Sequence, residues 1–376
     1  MKKKIKLCLI SITIVSLSII GIYKSFNNKT FIKDGVRYAV TLDGTSSSSF
    51  PSKGAYKVTV SCNNATGKWL YDSWTLRLTN IVSNPTCDLT FTTISTKDYL
   101  NAKITSLAGS TTGTGQVVNE NGYRYEGKDP NNWIWFNNEM WRIIGVFSTT
   151  LSDGSTTQNL TKIIREDSLG GMAFDKSNVN DYNSASLKTL LNNYYYTKTD
   201  GTSSGYCYWY STTVPGNCNY GSNGIDTSYR TMVKNVKWNL GGYSSASVTS
   251  EAMYGYERGT TVYSGHATST TGYIGLMYPS DLGYSVLASS CARTTQLSSY
   301  GTSACSGSTW MGKGLEWTIS PRSSYSSYEW IWGSYGNLVN DIAYLGYGVR
   351  PVLYLDSTTY VIEGSGTNGD PYIIGM

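Results

Sequence analysis

The sequence has little charge and almost no histidine. Only 15% of its 376 residues are charged, against about 25% in an ordinary soluble domain. The single histidine, His266, excludes metal sites built on two histidines and most histidine-based catalysis. Aromatic residues make up 13% of the chain. This content argues against intrinsic disorder, because disordered chains are rich in charge and poor in aromatic residues.

Basic clusters are missing from the body of the chain. Seven of the 30 Lys and Arg residues fall within residues 1–33, which hold no acid, so the remainder has 23 basic residues against 25 acidic ones. Nucleic-acid binding needs clustered Lys and Arg to neutralise phosphates, and we therefore expect no nucleic-acid partner. The C-x-x-C spacing is also absent, and we expect neither a metal nor a cofactor.

The N-terminus has the pattern of an export signal. Four lysines precede an uncharged apolar run over residues 7–23. As a helix this run is about 25 Å long, marginal for a bilayer core of about 30 Å, although flanking lysines can extend its reach. The lysines place the N-terminus inside and the bulk of the chain outside the cell. We predict a cytoplasmic tip and transmembrane signal anchor over residues 1–29; the alternative is a cleaved signal and a secreted protein.

Six cysteines follow the apolar run, and an even number in an exported chain favours disulfides. They fall into three couples that are local in sequence and lie among loop residues or at strand ends. Free buried thiols are the alternative. We predict the pairs Cys62–Cys87, Cys207–Cys218 and Cys291–Cys305.

Apolar and polar residues alternate along much of the chain, which predicts antiparallel strands with one buried face. Between residues 30 and 94, this pattern covers four segments, 36–42, 56–61, 74–79 and 89–92, and predicts a small β-sandwich module. For the whole chain we expect a mainly β fold with a few short helices, of the α+β class.

Residues 95–120 differ in character, and we predict there a short helix followed by a flexible linker rich in Gly, Ser and Thr. A second domain then covers residues 121–376. It begins with an aromatic hairpin that turns at Asn137-Asn138 and a strand over 161–165. Helices are predicted over 184–195 and 279–288, and between 197 and 273 we expect long loops with short strands at best.

The carboxy-terminal third carries a resemblance to known proteins. A segment with Trp317 and Ser320-Pro321 is followed by an aromatic and polar stretch and then by Gly346-Tyr-Gly-Val-Arg-Pro-Val-Leu-Tyr-Leu355. This order resembles uncharacterised exported bacterial surface proteins. Their closing strands are similar to the C-type-lectin-like fold shared with formylglycine-generating enzymes and hypervariable bacterial receptors. The resemblance implies a C-type-lectin-like domain over 121–376.

The chemistry of those families is not carried over with the fold. Formylglycine-generating enzymes use a more closely spaced reactive cysteine pair, whereas Cys291 and Cys305 are 14 residues apart in a Ser/Gly loop. The Glu-Pro-Asn and Gln-Pro-Asp tripeptides of calcium-dependent lectins are absent. We therefore expect a protein that is not an enzyme, with no catalytic residues.

An aromatic stretch with Ser, Gly and Asn between its rings is the remaining functional signal. Such a composition is typical of adaptable binding loops, and in the hypervariable receptors the matching stretch holds the ligand. Packing in the core is the alternative. The candidate ligand-binding residues are Trp310, Tyr325, Tyr328, Trp330, Trp332 and Tyr335.

The function expected from these features is extracellular recognition or adhesion by a protein held in the cell membrane through residues 7–23. The ligand class would be a glycan or a protein. A structural component of the cell envelope or of a filament is the first alternative, and an extracellular hydrolase is the second.

Overall fold

The computed structural model describes residues 30–71, 73–210, 212–213 and 218–376, with the backbone alone at 212–213. Within these residues the chain forms 26 strands and six α-helices, none of them longer than eight residues. The fold is therefore mainly β with a few short helices, as predicted. No helix of this part of the chain is long and apolar enough to cross a bilayer. The predicted anchor over residues 7–23 lies outside the described residues.

The chain divides into two compact units, and the boundary lies between Thr96 and Lys97. In the small unit, β1, β2, β7 and β4 lie in that order in one sheet, β3 pairs with β2, and β5 and β6 form a separate hairpin. The four strands predicted from alternation are confirmed as β2, β4, β6 and β7. The bounds are β1 (Thr30–Lys33), β2 (Val36–Leu42), β3 (Thr45–Ser47), β4 (Tyr56–Asn63), β5 (Thr66–Leu70), β6 (Thr75–Thr79) and β7 (Thr86–Thr93).

Aromatic rings of the hairpin and the sheet form the core of the small unit. The ring of Trp69 lies 5.0 Å from that of Phe91 and 5.2 Å from that of Trp74, centroid to centroid. Cys62 and Cys87 are register partners on β4 and β7, and their disulfide is present with Cα atoms 4.1 Å apart. Alternation along the strands thus places one face on this aromatic core.

A ten-stranded sheet is the largest element of the second unit. Strands β19, β24, β13, β12, β10, β9 and β8 follow one another across it, and β11 joins β12 to β26, which pairs with β25. The bounds are β8 (Thr111–Thr112), β9 (Gly115–Asn119), β10 (Tyr123–Gly127), β11 (Trp133–Phe136), β12 (Glu139–Thr150), β13 (Thr157–Arg165), β19 (Ile274–Gly275), β24 (Val352–Leu355), β25 (Tyr360–Glu363) and β26 (Tyr372–Gly375).

A second sheet of five strands carries three of the six predicted binding residues, Tyr328, Trp330 and Trp332. Its order is β14-β23-β20-β21-β22, with bounds β14 (Gly171–Ala173), β20 (Glu316–Pro321), β21 (Tyr328–Trp332), β22 (Leu338–Ile342) and β23 (Gly346–Gly348). Two short ribbons complete the strands. They are β15 (Tyr208–Trp209) with β16 (Thr212–Thr213), and β17 (Val236–Asn239) with β18 (Ser269–Gly272).

The helices are short and lie in the second unit. They are α1 (Leu100–Thr105), α2 (Ser186–Leu190), α3 (Thr227–Arg230), α4 (Ser250–Glu257), α5 (Pro279–Ser285) and α6 (Ser303–Ser306), with 3-10 turns at Thr96–Asp98 and Leu297–Ser299. A π-helical turn at Leu191–Tyr195 continues α2. The helices predicted over 184–195 and 279–288 are thereby confirmed, with α5 ending three residues early.

Helix α4 was not predicted, because its surroundings read as loop. Its N-terminus does carry a capping signal, since the hydroxyl of Thr249 accepts a hydrogen bond from the backbone N–H of Ala252 at 3.3 Å. The aromatic hairpin is confirmed by β11 and β12. Asn137 and Asn138 at its turn have φ of 56° and 60°, the left-handed values that a two-residue hairpin turn favours.

The short helix predicted within residues 95–120 is present as α1, with Leu100 and Ile104 buried. The residues after it, which were predicted as a flexible linker, form β8 and β9, and these strands pair with each other at the edge of the large sheet. The glycines of this segment serve close packing. A Cβ atom on Gly115 would lie 2.1 Å from the carbonyl oxygen of Glu126, so that no larger residue fits between the paired strands.

Candidate binding pocket

The six predicted binding residues divide between core and surface. Trp310, Trp330 and Trp332 are buried, with at most 4% of each residue exposed. Tyr335 is 82% and Tyr325 47% exposed, and Tyr328 is half-buried. The stretch therefore does not form one continuous binding surface.

Two of the tryptophans have the surroundings of core residues. The indole N–H of Trp310 donates to the carbonyl oxygen of Tyr125 at 2.9 Å. The indole N–H of Trp330 donates to the carbonyl oxygen of Tyr243 at 3.3 Å. Buried indoles normally find such a partner, and neither ring has a polar group left for a ligand.

Trp332 and Tyr335 lie at a small pocket, which we call the Trp332 pocket. Its volume is about 200 Å³. The strand β21 ends at Trp332, and a tight turn leads from there to β22. The other wall comes from the segment that follows α6. The lining residues are Ser306, Thr309, Gly312, Gly314, Trp332, Gly333, Ser334, Tyr335 and Gly336.

Glycines keep the Trp332 pocket open. A Cβ atom on Gly312 would lie 2.4 Å from the indole nitrogen of Trp332, a separation that requires the ring or the chain to move. Gly336 has φ of +76°, and a Cβ atom there would lie 2.8 Å from the Cβ of Ser306. The turn is closed by a hydrogen bond from the N–H of Gly333 to the carbonyl oxygen of Asn337 at 2.8 Å. Small residues are therefore required on both walls.

A disulfide, a hydrogen bond and a ring contact hold the walls of the Trp332 pocket in place. The disulfide Cys291–Cys305 is present, as predicted, with Cα atoms 4.9 Å apart, and it fixes α6 beside the pocket. The hydroxyl of Thr309 shares a hydrogen bond of 2.6 Å with that of Ser285 in α5. The ring of Trp332 also packs edge-on against Tyr300 at 6.2 Å. Such supports favour a preformed site.

The chemistry of the Trp332 pocket is polar and uncharged. None of its lining residues is ionisable at neutral pH. Hydroxyl groups of Ser, Thr and Tyr can donate or accept, and the indole N–H of Trp332 has no acceptor within the described part of the chain. The pocket thus offers an aromatic wall with an unused donor. It can hold a small group that carries hydroxyl or carbonyl oxygens.

A cluster of buried charges lies elsewhere in the same unit. Asp281 of α5 accepts from Arg124 at 3.0 Å and forms an ion pair with Lys162, and all three side chains are at most 2% exposed. Burial lowers the pKa of Lys162 to about 8, opposed by the neighbouring Asp281. Burial likewise raises the pKa of Glu257 to about 7, opposed by Arg258. No substrate can reach groups so deeply buried, and their contacts tie α5 to β10 and β13.

The third predicted disulfide, Cys207–Cys218, is also present, with Cα atoms 6.1 Å apart. Among the described residues, no three His, Cys, Asp or Glu side chains come together where a metal ion could bind.

The sequence does contain a signal for the Trp332 pocket, which lies in the spacing of its glycines rather than in its composition. Gly312-x-Gly314 and Gly333-x-x-Gly336 flank its two aromatic residues.

Comparison with known proteins finds no matching family, no matching characterised protein and no matching solved structure.

Proposed function

We propose that the chain is a membrane-anchored extracellular recognition or adhesion protein without catalytic activity, which binds a small uncharged group of its ligand in the Trp332 pocket. One observation carries the proposal: a buried tryptophan presents an unpaired indole N–H to a pocket that glycines hold open. The other two tryptophans of the aromatic stretch, Trp310 and Trp330, donate instead to backbone carbonyl oxygens.

The extracellular location is supported by covalent chemistry. Three disulfides bridge cysteines that are close in sequence, and such bonds persist in oxidising compartments outside the cytosol. The anchor is supported by the apolar run over residues 7–23 with its flanking lysines. Together they favour a protein that meets its ligand outside the cell.

The finer fold assignment belongs to the same proposal. We infer a C-type-lectin-like second unit and a β-sandwich-like first unit. The support is the closing motif at residues 346–355, the mainly β composition and the aromatic core shared by sheet and hairpin in the small unit. An experimental structure with an unrelated arrangement of strands would contradict this assignment.

Ligand arrays test the binding proposal. The full chain, purified in detergent from the membrane fraction, is applied to glycan and peptide arrays beside the Tyr335→Ala and Gly312→Ala variants. Tyr335→Ala removes an exposed ring, and Gly312→Ala pushes a methyl group toward the indole of Trp332. We expect each change to weaken the array signal about tenfold. Loss of one aromatic contact, or of one hydrogen bond between uncharged groups, has an effect of this size.

Gly369→Ala is the matched control, because a Cβ atom on Gly369 has no neighbour within 4 Å. Equal signals from the wild type and both pocket variants would refute the role of the pocket. Polymers in size-exclusion chromatography, with no array signal, would support the alternative of a filament component. Chain recovered in the medium with an N-terminus beyond residue 23 would contradict the anchor.

A further inference from the structure

Four tyrosines from three separate segments meet at the end of the second sheet opposite Trp332 on β21. We call Tyr210, Tyr325, Tyr328 and Tyr344 the tyrosine cluster. The rings of Tyr210 and Tyr344 lie 5.1 Å apart and those of Tyr325 and Tyr328 5.2 Å apart. The segments that carry the two pairs are adjacent in the sheet. Tyr328 is the register partner of Ile342, and the N–H of Ala343, next to Tyr344, donates to the carbonyl oxygen of Ser327 at 2.8 Å.

The turn that carries Tyr325 and Tyr328 is held rigidly from below. The side-chain amide of the buried Asn180 donates to the carbonyl oxygens of Arg322, Tyr325 and Tyr328 at 3.3, 2.9 and 2.5 Å. Its backbone N–H donates to the carbonyl oxygen of Ser326 at 2.8 Å. One side chain thus fixes the backbone of the whole turn. The exposed ring of Tyr325 and the half-buried ring of Tyr328 are therefore positioned in advance rather than free to rearrange.

The segment that carries Tyr210 is also constrained. Tyr210 has φ of +58°, an unusual conformation for a bulky residue, and 47% of it is exposed. The disulfide Cys207–Cys218 closes the segment. The ring of Trp209 covers Gly346 so closely that a Cβ atom on Gly346 would lie 1.3 Å from it. The strained backbone of Tyr210 holds its ring toward solvent, and backbone strain of this kind is characteristic of functional sites.

Polar groups surround these rings. The carboxylate of Asp341 lies beside them and accepts a hydrogen bond from Tyr347 at 2.5 Å. The guanidinium of Arg322 lies 4.7 Å from the ring of Tyr325 and donates to the side chain of Asn340 at 3.0 Å. The surface thus combines exposed ring faces with hydroxyl, carboxylate, amide and guanidinium groups. It lacks the basic cluster that a polyanion requires.

We propose that the tyrosine cluster is a second binding site, which takes a neutral oligosaccharide chain. Sugar rings carry C–H groups on one face and hydroxyl groups around the edge. The faces of the tyrosine rings can pack against the C–H groups, and the side chains of Asp341 and Asn340 can form hydrogen bonds with the hydroxyl groups. One acidic side chain, Asp341, and one basic side chain, Arg322, lie at the cluster, and this balance of charge favours a neutral sugar chain over a charged ligand.

Calorimetric titration of the full chain tests this proposal. The protein is kept in a detergent without a sugar headgroup, and the probes are cellohexaose and chitohexaose. We expect at least one probe to bind. Tyr325→Ala and Tyr344→Ala should each weaken its affinity about fivefold to tenfold, whereas Tyr325→Phe and Tyr344→Phe, which keep the ring, should stay within about twofold of the wild type.

Tyr335→Ala serves as the control, because it alters the Trp332 pocket and leaves the tyrosine cluster intact. Binding that survives Tyr335→Ala and weakens in the cluster variants supports the second site, whatever ligand the pocket takes. Binding that is lost in Tyr335→Ala but unchanged in the cluster variants overturns it while leaving the pocket proposal standing. Absence of binding to both probes also overturns it. Far-UV circular dichroism of each variant shows that the fold is retained.

Discussion

The cores of the two units differ in composition. Among the described residues of the small unit no charged side chain is buried, and its core is built on rings such as Trp69, Trp74 and Phe91. The second unit encloses ion pairs, among them Arg124–Asp281 and Arg350–Glu316. Alternating strands suffice to build the first core, whereas the second needs specific charges to hold irregular segments against its sheets.

This difference has a thermodynamic consequence. In a core of aromatic rings, each buried side chain contributes to stability through the apolar surface that it removes from water. Truncation of one of these side chains leaves no unpaired charge in the core. A buried ion pair contributes little net stability, but loss of one partner leaves an uncompensated charge in the core. The second unit should therefore be the more sensitive to single polar substitutions.

The largest expected effect follows from Asp281. Asp281→Ala leaves Lys162 and Arg124 buried without their carboxylate, and we expect a loss of about 3–5 kcal/mol in the free energy of unfolding of the second unit. Urea denaturation followed by tryptophan fluorescence measures the loss. The transition of the small unit should not move.

Asp129→Ala is the matched control for this change. Asp129 also pairs with a buried arginine, Arg142, at 3.1 Å, but its side chain is 57% exposed. Arg142 keeps its hydrogen bond to the side chain of Asn132 at 2.6 Å. We expect a loss of at most about 1 kcal/mol. Equal losses from the two substitutions would show that burial of the ion pair is not what matters.

A smaller effect is expected in the small unit from its disulfide. The double variant Cys62→Ala/Cys87→Ala frees a loop whose ends are 25 residues apart, and the unfolded chain gains entropy worth about 3 kcal/mol. The midpoint of the small unit's transition in urea should fall while that of the second unit stays in place. A shift of both transitions together would mean that the units do not unfold independently.

The same contrast explains what the sequence could predict. Alternation and local spacing located the strands of the small unit, the hairpin at Asn137-Asn138 and all three disulfides, because these features depend on residues close together in the chain. The partners of Asp281 are 157 and 119 residues away, and no local pattern marks them. Gly, Ser and Thr between residues 108 and 115 suggested flexibility, whereas here they allow close pairing of strands.

The candidate sites show the same limit. The aromatic stretch predicted a role for Trp332, Tyr335 and Tyr325. The alternation of side chains between the two faces of a strand, however, does not show which tryptophan has an indole N–H without an acceptor. The pocket exists because the turn after β21 meets Ser306, and the tyrosine cluster because Tyr210 meets Tyr344. Both contacts join distant segments, and only the fold brings them together.

The smallest expected effect comes from a buried carboxyl that has no ion-pair partner. Glu329 is fully buried, and no side chain of the described residues donates a hydrogen bond to its carboxyl oxygens. Burial raises its pKa well above the usual value. The folded chain therefore favours the protonated form, and this group's contribution to stability is present at acidic pH and is lost as the pH rises toward the raised pKa.

Glu329→Gln removes this pH dependence, because the amide is similar in shape and cannot ionise. Relative to the wild type, we expect little gain at pH 4 and a gain of roughly 1–2 kcal/mol at pH 8, the scale of an unsatisfied buried polar group. Urea denaturation of both proteins at pH 4, 6 and 8 measures the difference, and taking the difference cancels the titration of Glu257, which both proteins share. A gain that is independent of pH would show that Glu329 does not titrate in this range. A loss at pH 8 would mean that its carboxylate is stabilised in the fold, and that the second unit tolerates buried charge even without an ion pair.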